Sequence, residues 1–480
     1  MELQWNQSVC RYMHRQVWDT QNLEQTQELR LHDGMPDIGR IICAWGQCVL
    51  RGKEWRKDCI SVTGGVTAWV LYSPEDGSEP VVVETWLPFQ GKWNLQDSRC
   101  EGFIGADVCL RGVDARILSA GKMMVRASVG LTVEAMEPMN VELFSPPEMP
   151  DGVQLLHNTY PAVLPVEAGE RQFTLEEPMP WQGELPEKII AWQVTPKLSE
   201  QNVVGSRAVF RGNNLVHIIC KCQDGKISSC DLEIPLAQYV DLDGDYDKEA
   251  TICIRMGLSS VEPEIREDGM WLKCGMIAQY TVYDRQLIHI CEDAYSPCRM
   301  VSPTYQSLKL PMVLDRVLER IDIPMPPQQP NVADCCFYPD SPAFYRQGDM
   351  LEGELSGKIQ MLYYNSEDAL ECHTEQWSQQ WQLPVDESSH AYVYMQNGPF
   401  DMQLEMLLVT GEEIPMITGL QLGEDKKMDP ARPSLILKRM GEGTLWDLAK
   451  ATGSTVEAIR SANQLSGEPE PDQMLLIPVC

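Results

Sequence analysis

Cys220-Lys221-Cys222 places two thiols on one face of an extended segment, and Cys230 falls across the turn that follows. Thiolates at that proximity could hold zinc. No Cys-x2-Cys pair and no matching histidine repeats the spacing, so these cysteines read as buried or free thiols, and the adjacent Cys335-Cys336 pair is assigned no role. Asp241-Leu242-Asp243-Gly244-Asp245-Tyr246-Asp247 has the acidic density of a calcium loop. It lacks the glycine at the sixth place and the bidentate glutamate at the twelfth, so it reads as an acidic turn. Seven histidines are scattered through the chain without a neighbouring nucleophile. His217 sits in an alternating apolar run, where a packed or solvated imidazole is expected rather than a base. No Gly-x-Ser-x-Gly, phosphate loop or His-Glu-x-x-His is present. The expectation is a protein without enzymatic activity, catalytic residues, cofactor or metal.

The elements that carry these residues must belong to several domains, because 480 residues exceed what one core organises. A formal charge of −31 opposes binding to nucleic-acid phosphates or anionic membranes. The first residues, Met1-Glu2-Leu3-Gln4-Trp5-Asn6-Gln7, show neither a basic nor an apolar region of a secretory signal. No stretch approaches the ~20 apolar residues of a membrane helix. A cytoplasmic location is expected, and with it reduced thiols for the 17 cysteines.

Self-comparison shows a period of about 145–150 residues. Arg40-Ile41-Ile42-Cys43-Ala44-Trp45 recurs as Lys188-Ile189-Ile190-Ala191-Trp192. The strand-like runs at 65–72, 213–220 and 357–364 correspond, and each leads through a turn (73–77, 223–225, 365–368) into a second extended run. Asp-Gly between extended runs is a strong hairpin signal. Further back in module one, Val125, Ala127, Val129, Leu131 and Val133 alternate with polar residues, as a strand with one buried face requires. The fold class expected is mainly β: three antiparallel sandwich-like or barrel-like modules at 1–150, 151–295 and 296–425. Proline-rich segments at 145–150, 323–330 and 426–433 read as stiff spacers, giving an elongated array. One short helix is expected at 312–321, where Val313, Val317, Leu318 and Ile321 share a face.

The tail, 433–480, reads as strand, helix, helix, strand. Ser434 to Arg439 is strand-like, and Thr444 with Asp447 opens a helix that Gly453 stops. Ser454 with Glu457 opens a second helix, on which Val456, Ile459 and Ala462 share a face, and Leu475-Leu476-Ile477-Pro478 closes the unit. In this order T-L-W-D-L-A-K, T-V-E-A-I, A-N-Q-L and L-L-I-P resemble a LysM domain, a binding module. The resemblance implies a groove built by the loop after the first strand (Gly441, Glu442, Gly443, Thr444, Leu445, Trp446) and the loop after the second helix (Asn463, Gln464, Leu465). Leu445, Leu448, Ile459 and Ile477 are expected in its core. Trp446 reads equally as a core residue or an exposed contact residue from its helix face; for a protein partner it is the expected contact centre, with Lys438 and Asp447 nearby. Glycan-binding members carry Gly-Asp-Thr in the first loop, where this chain has Glu442-Gly443-Thr444.

The three β modules resemble the sporulation-associated SPOCS family, the third in a shorter, divergent form; in module one the resemblance is carried by Pro36-Asp37-Ile38 with Ile41-Ile42, Val70-Leu71-Tyr72, Pro88-Phe89, and Ala115 to Ser119 leading to Lys122, Val125-Arg126-Ala127 and Leu131. In module two Cys220 stands where Tyr72 does, and Pro235-Leu236 replaces Pro88-Phe89. SPOCS modules followed by LysM are similar to clostridial spore-coat morphogenetic proteins. That implies a mother-cell scaffold at the forespore surface, whose LysM tail binds the coat-basement ATPase (SpoIVA-like) and whose modules contact other coat proteins or themselves. The alternative is a wall protein whose LysM domain reads N-acetylglucosamine in peptidoglycan.

Overall fold

The computed structural model describes residues 2–3, 5–95, 102–309, 312–324, 331–385, 389–397, 401–410, 413–426 and 433–479. It is almost entirely antiparallel β, as the alternating pattern predicts. After a two-residue strand β1 (Glu2–Leu3), module one comprises β2 (Asn6–Arg30), β3 (Ile38–Arg56), β4 (Cys59–Pro74), β5 (Val81–Asn94), β6 (Phe103–Ser119) and β7 (Lys122–Ser145). They form two sheets, β2-β7-β6 and β3-β4-β5. Val125, Ala127, Val129, Leu131 and Val133 on β7 are fully buried and meet Val66, Ala68, Val70 and Tyr72 on β4. Tyr72 and Phe89 lie at joints of this sandwich. Tyr72 donates from its hydroxyl to the Pro36 carbonyl at 3.0 Å, and Phe89 lies over Gly64, where any side chain would collide with its ring.

Module two repeats the plan with β8 (Gln154–Pro178), β9 (Lys188–Lys221), β10 (Ile227–Tyr246), β11 (Thr251–Arg266) and β12 (Gly269–Tyr295), in sheets β8-β12-β11 and β9-β10. The long β9 doubles back on itself. Ser199 donates to the Arg211 carbonyl at 3.3 Å, and a Cβ on Gly212 would lie 1.9 Å from the Lys197 carbonyl oxygen. Module three contains β13 (Arg299–Lys309), β14 (Met312–Asp322), β15 (Val332–Pro339), β16 (Ala343–Gln347), β17 (Met350–Tyr364), β18 (Leu370–Pro384), β19 (Ser389–Asn397), β20 (Asp401–Thr410) and β21 (Glu413–Asp425). One sheet is β15-β17-β16 with β18 added beside β17; the other is split into β14-β20-β19 and β13-β21-β1. The hairpin turns predicted at 73–77, 223–225 and 365–368 are all present, with φ of 75° at Gly77, 84° at Gly225 and 59° at Asp368.

The helix expected at 312–321 is strand β14, paired along its length with β20. Val317 and Ile321 turn inward while Leu318 stays 53 % exposed. The spacing of apolar residues fitted either period, and pairing with Leu404, Met406 and Leu408 decided it. The Asp241–Asp247 segment is a strand end with a register shift rather than a turn. The Glu167 carboxylate accepts from the backbone N–H groups of Asp243 and Gly244 there.

The largest departure from expectation is the relation between modules. They do not form an elongated array. Trp45, Trp69 and Leu71 of module one, Ile190 and Ile219 of module two, and Cys336 and Leu362 of module three share one buried cluster. A second shared cluster joins Tyr12, Leu164, Ile290 and Met416. β1 pairs with β21, which ties the first residues to module three. The proline-rich 145–150 segment packs Met149 against a third cluster, to which Trp5, Cys291 and Ile417 belong, instead of holding the modules apart. The spacer residues 325–330 and 427–432 lie outside the described residues.

A buried ionic group also joins the modules. Glu134 on β7 accepts from Arg15 Nε at 2.7 Å and from Tyr394 Oη at 2.8 Å, and pairs with Arg255. These residues come from all three modules. Burial would push the Glu134 carboxyl up, but Arg15 and Arg255 outweigh it and hold it down at about 2.

Candidate functional site

The tail folds as β22 (Leu435–Arg439), α1 (Leu445–Thr452), α2 (Val456–Asn463) and β23 (Met474–Pro478), with β22 and β23 paired antiparallel. Thr444 caps α1. Its side chain accepts from the Asp447 N–H, and the Asp447 carboxylate accepts from the Thr444 N–H at 2.9 Å, completing a capping box. Those bonds hold the Asp447 carboxyl below its usual range. Gly453 ends the helix with φ 62°, as the sequence indicates. The second helix starts one residue later than expected. Thr455, not Ser454, is its N-cap, accepting from the Ala458 N–H, while Ser454 is buried. Leu445, Leu448, Ile459 and Ile477 form the core with Ala449 and Leu475. Ala462, expected on the apolar face, is exposed.

Replacing Thr444 with Ala removes one of the first-turn acceptors and is expected to destabilise the tail by about 1 kcal/mol. Amide exchange of residues in α1 should accelerate severalfold while β7 amides are unchanged.

The two groove loops meet as the spacing requires. Gly441, Glu442, Gly443 and Thr444 are exposed, and Gly443 adopts φ 120°, open only to glycine without strain. Opposite, Asn463 is locked: its amide donates to the Ile459 and Leu476 carbonyls, and its oxygen accepts from the Leu476 N–H at 2.7 Å. It therefore fastens α2 to β23. Gln464 takes the left-handed C-cap with φ 55°, and Leu465 packs on the core. Sequence reasoning missed Glu468. Its Oε2 accepts from the Leu445 N–H at 3.3 Å and its Oε1 from Arg460 at 2.9 Å, so one side chain bridges the loops. The signal was a carboxylate opposite a helix N-terminus, visible only once the loops are folded together.

Trp446 points away from the groove. It is 9 % exposed, stacks edge-on against Tyr295 with ring centroids 4.8 Å apart, and donates Nε1–H to Asp293 Oδ2 at 2.8 Å. Lys450 donates to both Asp293 oxygens, and Tyr295 donates to the Ser454 carbonyl at 3.0 Å. Burial would raise the Asp293 carboxyl, but bonds from Lys450, Trp446 and Tyr305 bring it below its usual range. The tail is thus docked on the end of β12, and the aromatic expected to meet a partner is spent on module two. Lys438 and Asp447 remain exposed. On the outer face of the β22–β23 ribbon, Leu435, Leu437, Met474 and Leu476 are 40–61 % exposed and adjacent.

A cavity of about 510 Å³ lies between the modules, lined among others by Gln193, Arg255, Arg316 and Glu405. Its lining contains no histidine. Cys220, Cys222 and Cys230 are free thiols. Cys220 bonds the Ser228 carbonyl and Cys222 the Ser228 hydroxyl. Among the described residues, the group with metal-ligand proximity is a different one, His217, Asp334 and Cys336.

The tail is a small strand–helix–helix–strand unit, the order of a known class of binding module. Residues 439–478 match the LysM domain family, and the chain therefore carries a C-terminal LysM domain. No curated protein and no solved structure matches the chain. Among the described residues, no helix is long and apolar enough to cross a membrane.

Proposed function

We infer that this protein is a non-enzymatic scaffold of the spore envelope, anchored to a protein partner through its LysM domain. The reading follows the resemblance of module one to SPOCS modules and of the whole arrangement to SipL-like coat proteins. It places the protein in the mother-cell cytoplasm at the forespore surface, with the SpoIVA-like coat-basement ATPase as partner. The observation that carries a protein partner over a sugar is Glu468, which occupies the first-turn N–H of α1 and spans the groove. The apolar outer face of the β22–β23 ribbon supports the same reading, since clustered exposed leucines are a protein-contact surface. Binding by complementary surfaces needs no covalent step, and repetition along a coat layer multiplies weak contacts.

The test pairs two binding assays on the full chain. Purified coat-basement ATPase is expected to retain it, with Leu437→Asp reducing retention about tenfold or more, as for a contact worth ~1.4 kcal/mol. Purified peptidoglycan is expected to leave it in the supernatant. Pelleting with peptidoglycan, abolished by substitution in the groove loops, would establish the glycan reading that LysM domains ordinarily support and would displace the protein-partner reading.

A further inference from the structure

Where the three modules meet, a set of side chains is buried that the LysM reading leaves unused. His217 on β9 is 2 % exposed, and Asp334 and Cys336 on β15 are each 1 % exposed. His217 Nε2 lies 2.7 Å from Asp334 Oδ1 and 3.5 Å from Cys336 Sγ, and that sulfur is 3.5 Å from Asp334 Oδ2. His217 Nδ1 is 2.7 Å from Asp231 Oδ1. Trp45 on β3 donates Nε1–H to Asp334 Oδ2 at 2.7 Å.

We propose that His217 Nε2, the Asp334 carboxylate and the Cys336 thiolate bind one divalent cation of the zinc type, a structural metal that clamps module two to module three.

The spacing is that of a tetrahedral zinc site. Zinc–sulfur bonds of about 2.3 Å and zinc–nitrogen or zinc–oxygen bonds of about 2.0–2.2 Å put neighbouring ligand atoms roughly 3.3–3.6 Å apart. The edge from Cys336 Sγ to His217 Nε2 already has this length; the sulfur reaches the carboxylate at Oδ2, while the imidazole faces Oδ1. The nitrogen–oxygen edge is at hydrogen-bond length and opens by roughly 0.6 Å when the ion takes the place of the proton between them.

The surroundings are those of a ligand set. A metal-binding imidazole donates its other N–H to a carboxylate that fixes the ring, and Asp231 is placed to accept from Nδ1. Trp45 fixes the Asp334 carboxylate in the same way. A proton shared by Asp231, His217 and Asp334 would account for those three residues but not for a thiol aimed at two of them.

Charge balances as well. On binding, His217 releases the Nε2 proton and keeps Nδ1–H, and Cys336 releases its thiol proton. The dication then faces two anionic ligands in a site that no longer holds an isolated charge. Because the site is enclosed, the ion must enter while the modules assemble.

The experiment refolds the full chain from denaturant after chelation, with and without one equivalent of zinc chloride. Metal content is measured after desalting, and cobalt(II) is substituted to reveal a thiolate charge-transfer band. One ion per chain, a higher melting temperature with zinc, and a cobalt–thiolate band are expected. Cys336→Ser should lose the band and the stoichiometric ion, while Cys335→Ser keeps both. Asp231→Asn should weaken zinc binding about 10–100-fold without removing a ligand. Cys336→Ser retains the volume of the side chain, so a folded variant is available even if His217→Ala does not fold. A wild-type chain that retains no more zinc than Cys336→Ser, or a cobalt band that survives in that variant, would overturn the proposal.

Discussion

Glu134→Gln is expected to cost about 3–5 kcal/mol, because removing one member of a buried ion group leaves its partners charged and uncompensated. Arg15 and Arg255 would both stay buried around a neutral amide. Arg255 would keep only Asp107, 3.2 Å away, as an anionic partner. The residues involved belong to all three modules, so the loss should appear as one cooperative shift in urea midpoint rather than unfolding of module one alone. Unfolding of module one by itself, with modules two and three intact, would show that the ionic group does not couple them.

The same carboxylate sets an acid limit. In the folded chain Glu134 titrates at about 2, against about 4.3 for an unfolded glutamate. The folded state therefore prefers the ionised form. Its contribution is complete above the unfolded value and is lost as the pH falls from about 4 toward about 2. Wild-type stability should fall across that window, and the fall should be shallower in Glu134→Gln, measured as urea midpoints at successive pH values.

The second large effect is expected from Trp446→Ala. The indole contributes its ring contact with Tyr295 and its bond to Asp293, and truncating a buried tryptophan costs about 3–5 kcal/mol. Part of that cost falls on the LysM core and part on its docking to β12. Hydrogen exchange in α1 and α2 should accelerate by roughly a hundredfold or more, with β4 and β7 unchanged. Asp293→Asn separates the contributions: it weakens the bonds to Lys450 and Trp446 while leaving the LysM core filled. If Asp293→Asn releases the tail and partner binding increases, the docked position masks part of the binding surface. If exchange is unaltered in both variants, the tail is not held by this contact.

Local structure in this chain was legible wherever a residue's neighbours in sequence decide it. The Asp-Gly turns, the alternation along β7, the capping box at Thr444 and the βααβ order of the tail depend on contacts within a few residues or on a period of two. The Leu445, Leu448, Ile459 and Ile477 core followed from helix and strand faces for the same reason. In the folded chain β4, apolar from Val66 to Tyr72 apart from Thr67, is buried on both faces.

What covers the second face was decided by tertiary structure alone. Val66, Ala68, Val70 and Tyr72 fill the module's own sandwich, whereas Trp69 and Leu71 reach the cluster shared with the other modules. Periodicity describes one element at a time, and so it places a side chain on a face without saying which distant element lies opposite. Proline content likewise describes stiffness, not separation, which is why the 145–150 segment reads as a spacer yet lays Met149 against residues of all three modules. Trp446 and His217 follow the same logic. Periodicity puts Trp446 on a helix and His217 on a strand, but only folding brings Asp293 to the one, 153 residues away, and Asp334 to the other, 117 residues away.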